Sequence, residues 1–271
     1  MGLTVELAQI YVKPGDVEGN LEKHLKIIQN SNADCIVFPE LSLTGYISKD
    51  AFYNSSKLAL SGIQKIKEVV DKKQNCVIVG IPREVRPGIF RNSASVIRNG
   101  RKPFFVDKFY LANYELFDEK RYFQPGDLRT AKTFSFNGKR LGVVVCEDAW
   151  HPEPIELLSR KGAEAIFIIS ASPLRLTGKD IRDNWRSLIV AHSLMNSVWV
   201  IFVNMVGQGD EEYFWGGSMV SSPSGKITLE MKELEEMNAI TIIDINENRI
   251  SRLNSGFKDH RSEFHRYLSK L

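Results

Sequence analysis

Ten short apolar, β-branched runs recur from one end of this chain to the other, and amphipathic stretches separate several of them. Thr4–Ile10, Cys35–Phe38, Cys76–Ile81, Ala94–Ile97 and Pro103–Val106 read as strands. So do Leu141–Cys146, Ala165–Ser170, Val198–Asn204, Gly217–Ser221 and Ala239–Asp244. Between them, Asp16–Asn30 repeats apolar residues three and four apart, through Val17, Leu21, Leu25 and Ile28, as an amphipathic helix does. Ala59–Lys72 does the same through Leu60, Ile63, Ile66 and Val70. Pro154–Arg160 opens on a proline suited to a first helical turn and stops before Gly162, and Ile181–Asn196 is the fourth helical segment. So many strands with so few helices exceed what one open sheet usually carries. The pattern predicts stacked sheets with helices outside. No linker, repeat or low-complexity tract divides the 271 residues, which are expected to form one domain, 1–271.

Charge and cysteine usage narrow the function classes. Lys plus Arg is 36 against 33 acids, a net charge of +3 with no clustered basic face, which is no argument for nucleic acid. The three cysteines, Cys35, Cys76 and Cys146, form no CxxC pair, cannot all pair with one another, and have no histidine cluster to complete a zinc site. Neither a metal nor a cofactor is expected, and the setting reads as reducing. No apolar run approaches the roughly 18 residues needed to span a bilayer. Glu6 stands where a signal peptide would carry basic residues, and the sixth position lacks the Ser or Thr of a myristoylation signal. A cytoplasmic location, with no membrane partner, is the expectation.

Three segments put a reactive side chain at the end of a strand. In Cys35-Ile-Val-Phe-Pro-Glu40 an apolar run stops at Pro39, and Glu40 follows at the carboxyl edge, where ligands bind in open α/β sheets. The competing reading is a solvated loop acid. In Phe104-Phe-Val-Asp-Lys108-Phe-Tyr110 a lysine sits among aromatic residues, costly to bury unless Glu40, Asp107 or Glu119 pairs with it. Here the alternative is a lysine that snorkels to the surface. In Leu141-Gly-Val-Val-Val-Cys146-Glu-Asp-Ala-Trp150 a run with four apolar residues leads directly into a cysteine, two acids and a helix start. A cysteine at such a turn has the placement of a nucleophile elbow, where amides at a helix N-terminus stabilise thiolate and oxyanion. Cys35 and Cys76, inside apolar runs, read as small core residues. None of the five histidines ends a strand, so a base other than His is the better expectation, although His151 lies near Cys146 in sequence.

Glu40, Lys108 and Cys146, in that order and in those contexts, resemble the catalytic triad of the nitrilase (carbon–nitrogen hydrolase) superfamily. The resemblance spans nearly the whole chain and includes Leu7-Ala-Gln-Ile10, Phe38-Pro-Glu40-Leu, Asp107-Lys108, Phe123-Gln-Pro-Gly126 and Gly142-Val-Val-Val-Cys146-Glu-Asp. It implies a four-layer α-β-β-α sandwich and association through the helices flanking the cysteine, as a homodimer or higher homo-oligomer. Within the superfamily, Asn113-Tyr-Glu-Leu-Phe-Asp-Glu-Lys-Arg-Tyr-Phe, Cys146-Glu-Asp-Ala-Trp150, Ile169-Ser-Ala-Ser-Pro173 and Trp215-Gly-Gly-Ser218 are most similar to the glutaminase domains of glutamine-dependent NAD synthetases. The chain shows no Ser-Gly-Gly-rich phosphate loop of the kind a synthetase domain carries.

The resemblance implies amide hydrolysis through a thioester. Glu40 acts as general base, Cys146 as nucleophile, and Lys108 with the amide after Cys146 as oxyanion donors. Glu119 corresponds to the second glutamate that many members place beside the lysine, with Glu115 as the competing candidate. Tyr46, Tyr114 and Glu147 match positions lining a glutamine pocket. Ser172 and Arg175 are candidates for a substrate carboxylate, the alternative being ordinary loop polarity. Trp150, Phe117 and Trp215 either wall the pocket or fill core. Glutamine is the expected amide substrate, with ammonia passed to a separate synthetase. An ω-amidase or N-carbamoyl hydrolase is the enzyme alternative, and a non-catalytic binding module the alternative of another class.

Overall fold

The computed structural model describes residues 2–46, 52–174, 181–209 and 211–259. Strands β1 Leu3–Gln9, β2 Cys35–Val37, β3 Cys76–Arg86, β4 Ile89–Arg98 and β5 Phe104–Asp107 come from the first part of the chain. They are followed by β6 Phe134–Phe136, β7 Lys139–Val145, β8 Ala165–Ser170, β9 Trp199–Asn204, β10 Val206–Gln208, β11 Tyr213–Trp215, β12 Met219–Ser221, β13 Ile227–Glu230 and β14 Met237–Ile243. The helices are α1 Val17–Asn30, α2 Phe52–Lys73, α3 Glu119–Tyr122, α4 Pro152–Arg160, α5 Ile181–Asn196 and α6 Ile245–Asn254. One six-stranded sheet has the order β14-β1-β2-β3-β4-β5 and the other β13-β12-β9-β8-β7-β6, while β10 and β11 form a ribbon.

Both sheets follow one plan. Three neighbouring strands run parallel, β1-β2-β3 in the first and β7-β8-β9 in the second, and antiparallel strands extend the edges. Parallel neighbours need a long crossover, which α1 and α2 supply in the first sheet and α4 and α5 in the second. The inner faces meet in one core that includes Val5, Leu7, Ile78 and Val96 from the first sheet and Val143, Val145, Phe167 and Ile201 from the second. The outer face of the first sheet packs Ile36, Val77 and Val79 on Leu21 and Ile28 of α1 and Ile63, Ile66 and Val70 of α2. Ile155 and Leu158 of α4 and Trp185 and Ile189 of α5 join the core on the other side. The result is the four-layer α-β-β-α sandwich that the resemblance implies, with the stacked sheets and outer helices that the strand count predicts. No helix among the described residues is long and apolar enough to cross a membrane.

Differences from the sequence expectation have local causes. The helix expected from Ala59 starts at Phe52, because its first turns, Phe52-Tyr-Asn-Ser-Ser-Lys-Leu58, are too polar to show an apolar period. Helix α6 buries only Ile245 and Asn248, so it too lacks the signal. Strands β6, β10 and β11 are three residues each, too short for alternation to register. One glycine shapes the turn that carries Glu40. Gly80 in β3 lies under the turn after β2, where a Cβ would fall 2.2 Å from the Leu41 amide nitrogen and 2.6 Å from the Pro39 oxygen. The turn therefore rests on bare backbone.

Candidate active site

Glu40 follows β2 at its carboxyl end and is fully buried. Its Oε1 accepts from Lys108 Nζ (2.7 Å) and Asn92 Nδ2 (2.7 Å), and its Oε2 accepts from the Ala171 amide (2.9 Å). Lys108 follows β5 and is equally buried, so the snorkelling alternative does not describe it. Its ammonium also donates to Glu119 Oε1 (2.7 Å), which accepts from the Tyr46 hydroxyl (3.1 Å), while Glu119 Oε2 takes the Ala112 amide (2.8 Å). Glu119, in α3, is the acid that meets Lys108, and Glu115 is exposed on the preceding loop. A buried ammonium survives only when paired and hydrogen-bonded. Burial pulls the Lys108 ammonium down, but the Glu119 and Glu40 carboxylates outweigh it and hold it well above the ordinary lysine range. Burial pushes the Glu119 carboxyl up, with Lys108 opposing.

Cys146 stands where β7 ends. Its φ is 43°, in the left-handed region that costs a side-chain-bearing residue on the order of 1 kcal/mol or more, and a 3₁₀ turn, Cys146–Trp150, follows. The turn aims the sulfur into the space beside Glu40 and Lys108, with which it lines one cavity. The hydrogen bond to the sulfur comes from the Ser170 hydroxyl (3.2 Å), at the carboxyl end of β8. The acid and the lysine bond each other here, and the sulfur bonds the serine. Burial and the Glu40 charge push the Cys146 thiol well up, against Lys108 and the Ser170 hydroxyl.

The two sheets are bolted at this point by Asp148. Its Oδ1 accepts from the Phe109 and Tyr110 amides (2.8 Å each), just after Lys108, and its Oδ2 accepts from the Val145 amide (2.9 Å), just before Cys146. Burial pushes the Asp148 carboxyl up to about 7, with these amides opposing. Asp148→Asn turns one acceptor into a donor facing a backbone N–H. It is expected to cost about 1–3 kcal/mol of stability and to slow turnover, measured by thermal melting and product release.

The mouth of the cavity is polar on one side and aromatic on the other. Tyr114 donates to Glu147 Oε2 (2.7 Å), and His151 Nε2 lies 3.5 Å from Glu147 Oε1 while its ring stacks on Tyr110 at 3.7 Å. Trp150 and Phe117 line the cavity, and Trp150 meets Trp185 edge to face at 5.5 Å. Trp215 fills core instead. Ser172 Oγ accepts from the Trp185 indole (2.9 Å) and the Trp215 indole (3.4 Å), which leaves its own proton to donate into the cavity. Arg175 lies outside the described residues. The free space left is about 10 Å³, room for a water. A larger groove of about 530 Å³ between α1 and β14 carries no cysteine and no buried lysine.

Sequence reasoning brought Glu40, Lys108, Glu119, Cys146, Tyr46, Tyr114, Glu147, Trp150 and Ser172 to one place. It missed Asn92, Asp148 and Ser170. Each leaves a faint signal. Asn92 lies within a polar run in β4, Ser170 is the first polar residue of β8, and Asp148 is the second acid after the cysteine.

The sequence model of the carbon–nitrogen hydrolase family matches residues 4–254. A glutamine-dependent NAD(+) synthetase from Aquifex aeolicus is 33% identical over 255 residues, covering 93% of this chain and 44% of that protein. The chain thus spans about half the length of such curated relatives. An (R)-stereoselective amidase from Pseudomonas sp is 27% identical, covering 96% of this chain and 92% of its own length. A carbon–nitrogen hydrolase from Helicobacter pylori G27 shares the fold, with a TM-score of 0.90 over 99% of this chain and 98% of its own at 21% identity.

Proposed function

The chain belongs to the carbon–nitrogen hydrolase family, and from that premise we propose that it hydrolyses the side-chain amide of glutamine through a thioester on Cys146. What carries this reading over a plain aliphatic amide is Glu147, a buried carboxylate lining the same cavity as the nucleophile. An α-ammonium group needs such a partner, and an uncharged amide would leave it a desolvated burden. Tyr114 holds that carboxylate, and the Ser172 proton is the donor for the α-carboxylate, for which Arg175 is proposed as a second partner.

In the proposed reaction Glu40 takes the Cys146 proton and the sulfur attacks the amide carbon. Lys108 and the Glu147 amide bear the oxyanion, a stabilisation worth about 3–4 kcal/mol per donor. Glu119 and Tyr46 keep Lys108 charged and aimed. Glu40 returns the proton to the nitrogen as ammonia leaves, then activates the water that splits the thioester to glutamate. Because its two acidic partners keep Lys108 protonated, it serves as an electrophile and not as a base.

A homodimer or higher oligomer, built on the helices after Cys146, belongs to the same reading. Leu194 and Met195 of α5 and Ile250 and Leu253 of α6 are exposed there. So do a separate synthetase as acceptor of the ammonia, and a reducing, cytoplasmic setting in keeping with free Cys35, Cys76 and Cys146. The near full-length match to the amidase keeps an ω-amidase or N-carbamoyl hydrolase as a second reading. Ammonia release from glutamine, asparagine, ω-amides and N-carbamoyl amino acids separates the two. Glutamine is expected to be the preferred substrate, turned over faster when a synthetase with ATP and its acceptor is present. Rapid unstimulated hydrolysis of another amide, with glutamine inert, would sink the glutamine reading and leave the thioester mechanism standing.

A further inference from the structure

Ser170 at the end of β8 and the two residues after it touch the cysteine, Glu40 and the aromatic wall of the cavity. Ser170 Oγ donates to Cys146 Sγ at 3.2 Å, the Ala171 amide donates to Glu40 Oε2 at 2.9 Å, and Ser172 receives the two indoles. The remainder of the strand, Ala165-Ile-Phe-Ile-Ile169, is apolar and buried, and a fully buried hydroxyl at its tip is a cost unless it has a partner. The partner here is the sulfur.

We propose that Ser170 is a catalytic residue, whose hydroxyl donates to the Cys146 thiolate and raises the fraction of that thiolate at neutral pH. The proposal rests on Cys146 being the nucleophile but not on which amide is cleaved. The need is specific to this site. Cys146 is buried beside the Glu40 carboxylate, and both conditions disfavour a negative sulfur. Lys108 opposes them from its pairing with Glu40 and Glu119, while Ser170 is the group in hydrogen-bond contact with the sulfur among the described residues. Its contact is made before substrate arrives. When Glu40 takes the proton, the hydroxyl meets the new charge. When the sulfur lone pair becomes the carbon–sulfur bond, the hydroxyl is released with no bond of its own broken.

The magnitudes decide what to measure. Losing one charge-assisted hydrogen bond shifts a thiol by about one pKa unit, a tenfold lower thiolate fraction at neutral pH. A more basic thiolate is also more nucleophilic, with a slope of about 0.4–0.5, which returns about threefold. Ser170→Ala is therefore expected to raise the apparent pKa of the Cys146 thiol by about one unit, about tenfold less thiolate at pH 7, read from the pH dependence of its alkylation with Cys146→Ala as the baseline. Its alkylation by iodoacetamide at that pH should be about threefold slower, located by mass spectrometry so that Cys35 and Cys76 do not contribute. Its kcat for the preferred amide should fall by a similar factor with KM little changed. Ser170→Thr, which keeps the hydroxyl, should restore all three. A folded Ser170→Ala protein with the parental pH profile and rate of Cys146 alkylation overturns the role of the serine. Absence of Cys146 alkylation in the parent would overturn the nucleophile reading, and this proposal with it.

Discussion

Cys146→Ala is expected to abolish turnover, a loss on the order of 10⁴-fold or more, while the protein stays folded. The lysine and the two acids that share the cavity are committed to one another in ion pairs, so none of them is expected to replace the sulfur as nucleophile. Little else should change, because alanine keeps the backbone's positive φ at about the same cost and leaves only a small void. Cys146→Ser should be nearly as inactive, since a carboxylate base cannot readily deprotonate a buried hydroxyl. Steady-state product release and a thermal melt on each variant check this. More than a few per cent of parental activity in the alanine variant would remove Cys146 from the mechanism.

Lys108→Met combines a catalytic with a structural loss. It deletes the proposed oxyanion donor and leaves Glu40 and Glu119 facing each other without a cation, both buried. Breaking one partner of a buried pair typically costs about 3–5 kcal/mol, and activity should fall by about 10³-fold or more. The pH dependence has a definite sign. In the parent the raised ammonium contributes stability that is complete below the ordinary lysine value and is lost only as pH climbs through the higher folded value. In the variant, Glu119, already pushed up by burial, loses its opposing charge and rises further. A carboxyl raised in the folded state binds protons more readily there than in the unfolded chain. Stability is then present at low pH and lost as pH rises through the folded value. Lys108→Met should accordingly melt higher at pH 5 than at pH 8, by more than the parent does. A variant as stable as the parent, with the same pH profile, would mean that the lysine does not neutralise both acids.

How much of the fold and site is legible in the sequence depends on whether a residue's chemistry is local. The bounds of β8 and α5 fall where the sequence places them, because each is a long segment with one strong pattern. The Glu40, Lys108 and Cys146 positions stand out because each interrupts an apolar run with a charge or a thiol. Asn92, Asp148 and Ser170 do not. Their importance lies in what they reach across space, and small polar residues in strands and turns usually reach nothing of consequence. Asp148 is hidden for a further reason, since a second acid after Glu147 looks like ordinary first-turn chemistry. The placement of Glu119 over Glu115 depends on the path of the loop before α3, which no periodicity describes.

The pairing of β14 with β1 bears on how such a chain comes into being. All seven residues of β1 find their antiparallel partner only in residues 237–243, far later in the chain. Until those residues emerge, β1 presents an unsatisfied backbone edge flanked by Leu3, Val5 and Leu7, the sort of template onto which other nascent chains add. Contacts this distant in sequence also form slowly, because the intervening chain must be closed first. The strand that completes the first sheet thus acts as a late guard, and translation halted before it would release an incomplete protein with an adhesive edge.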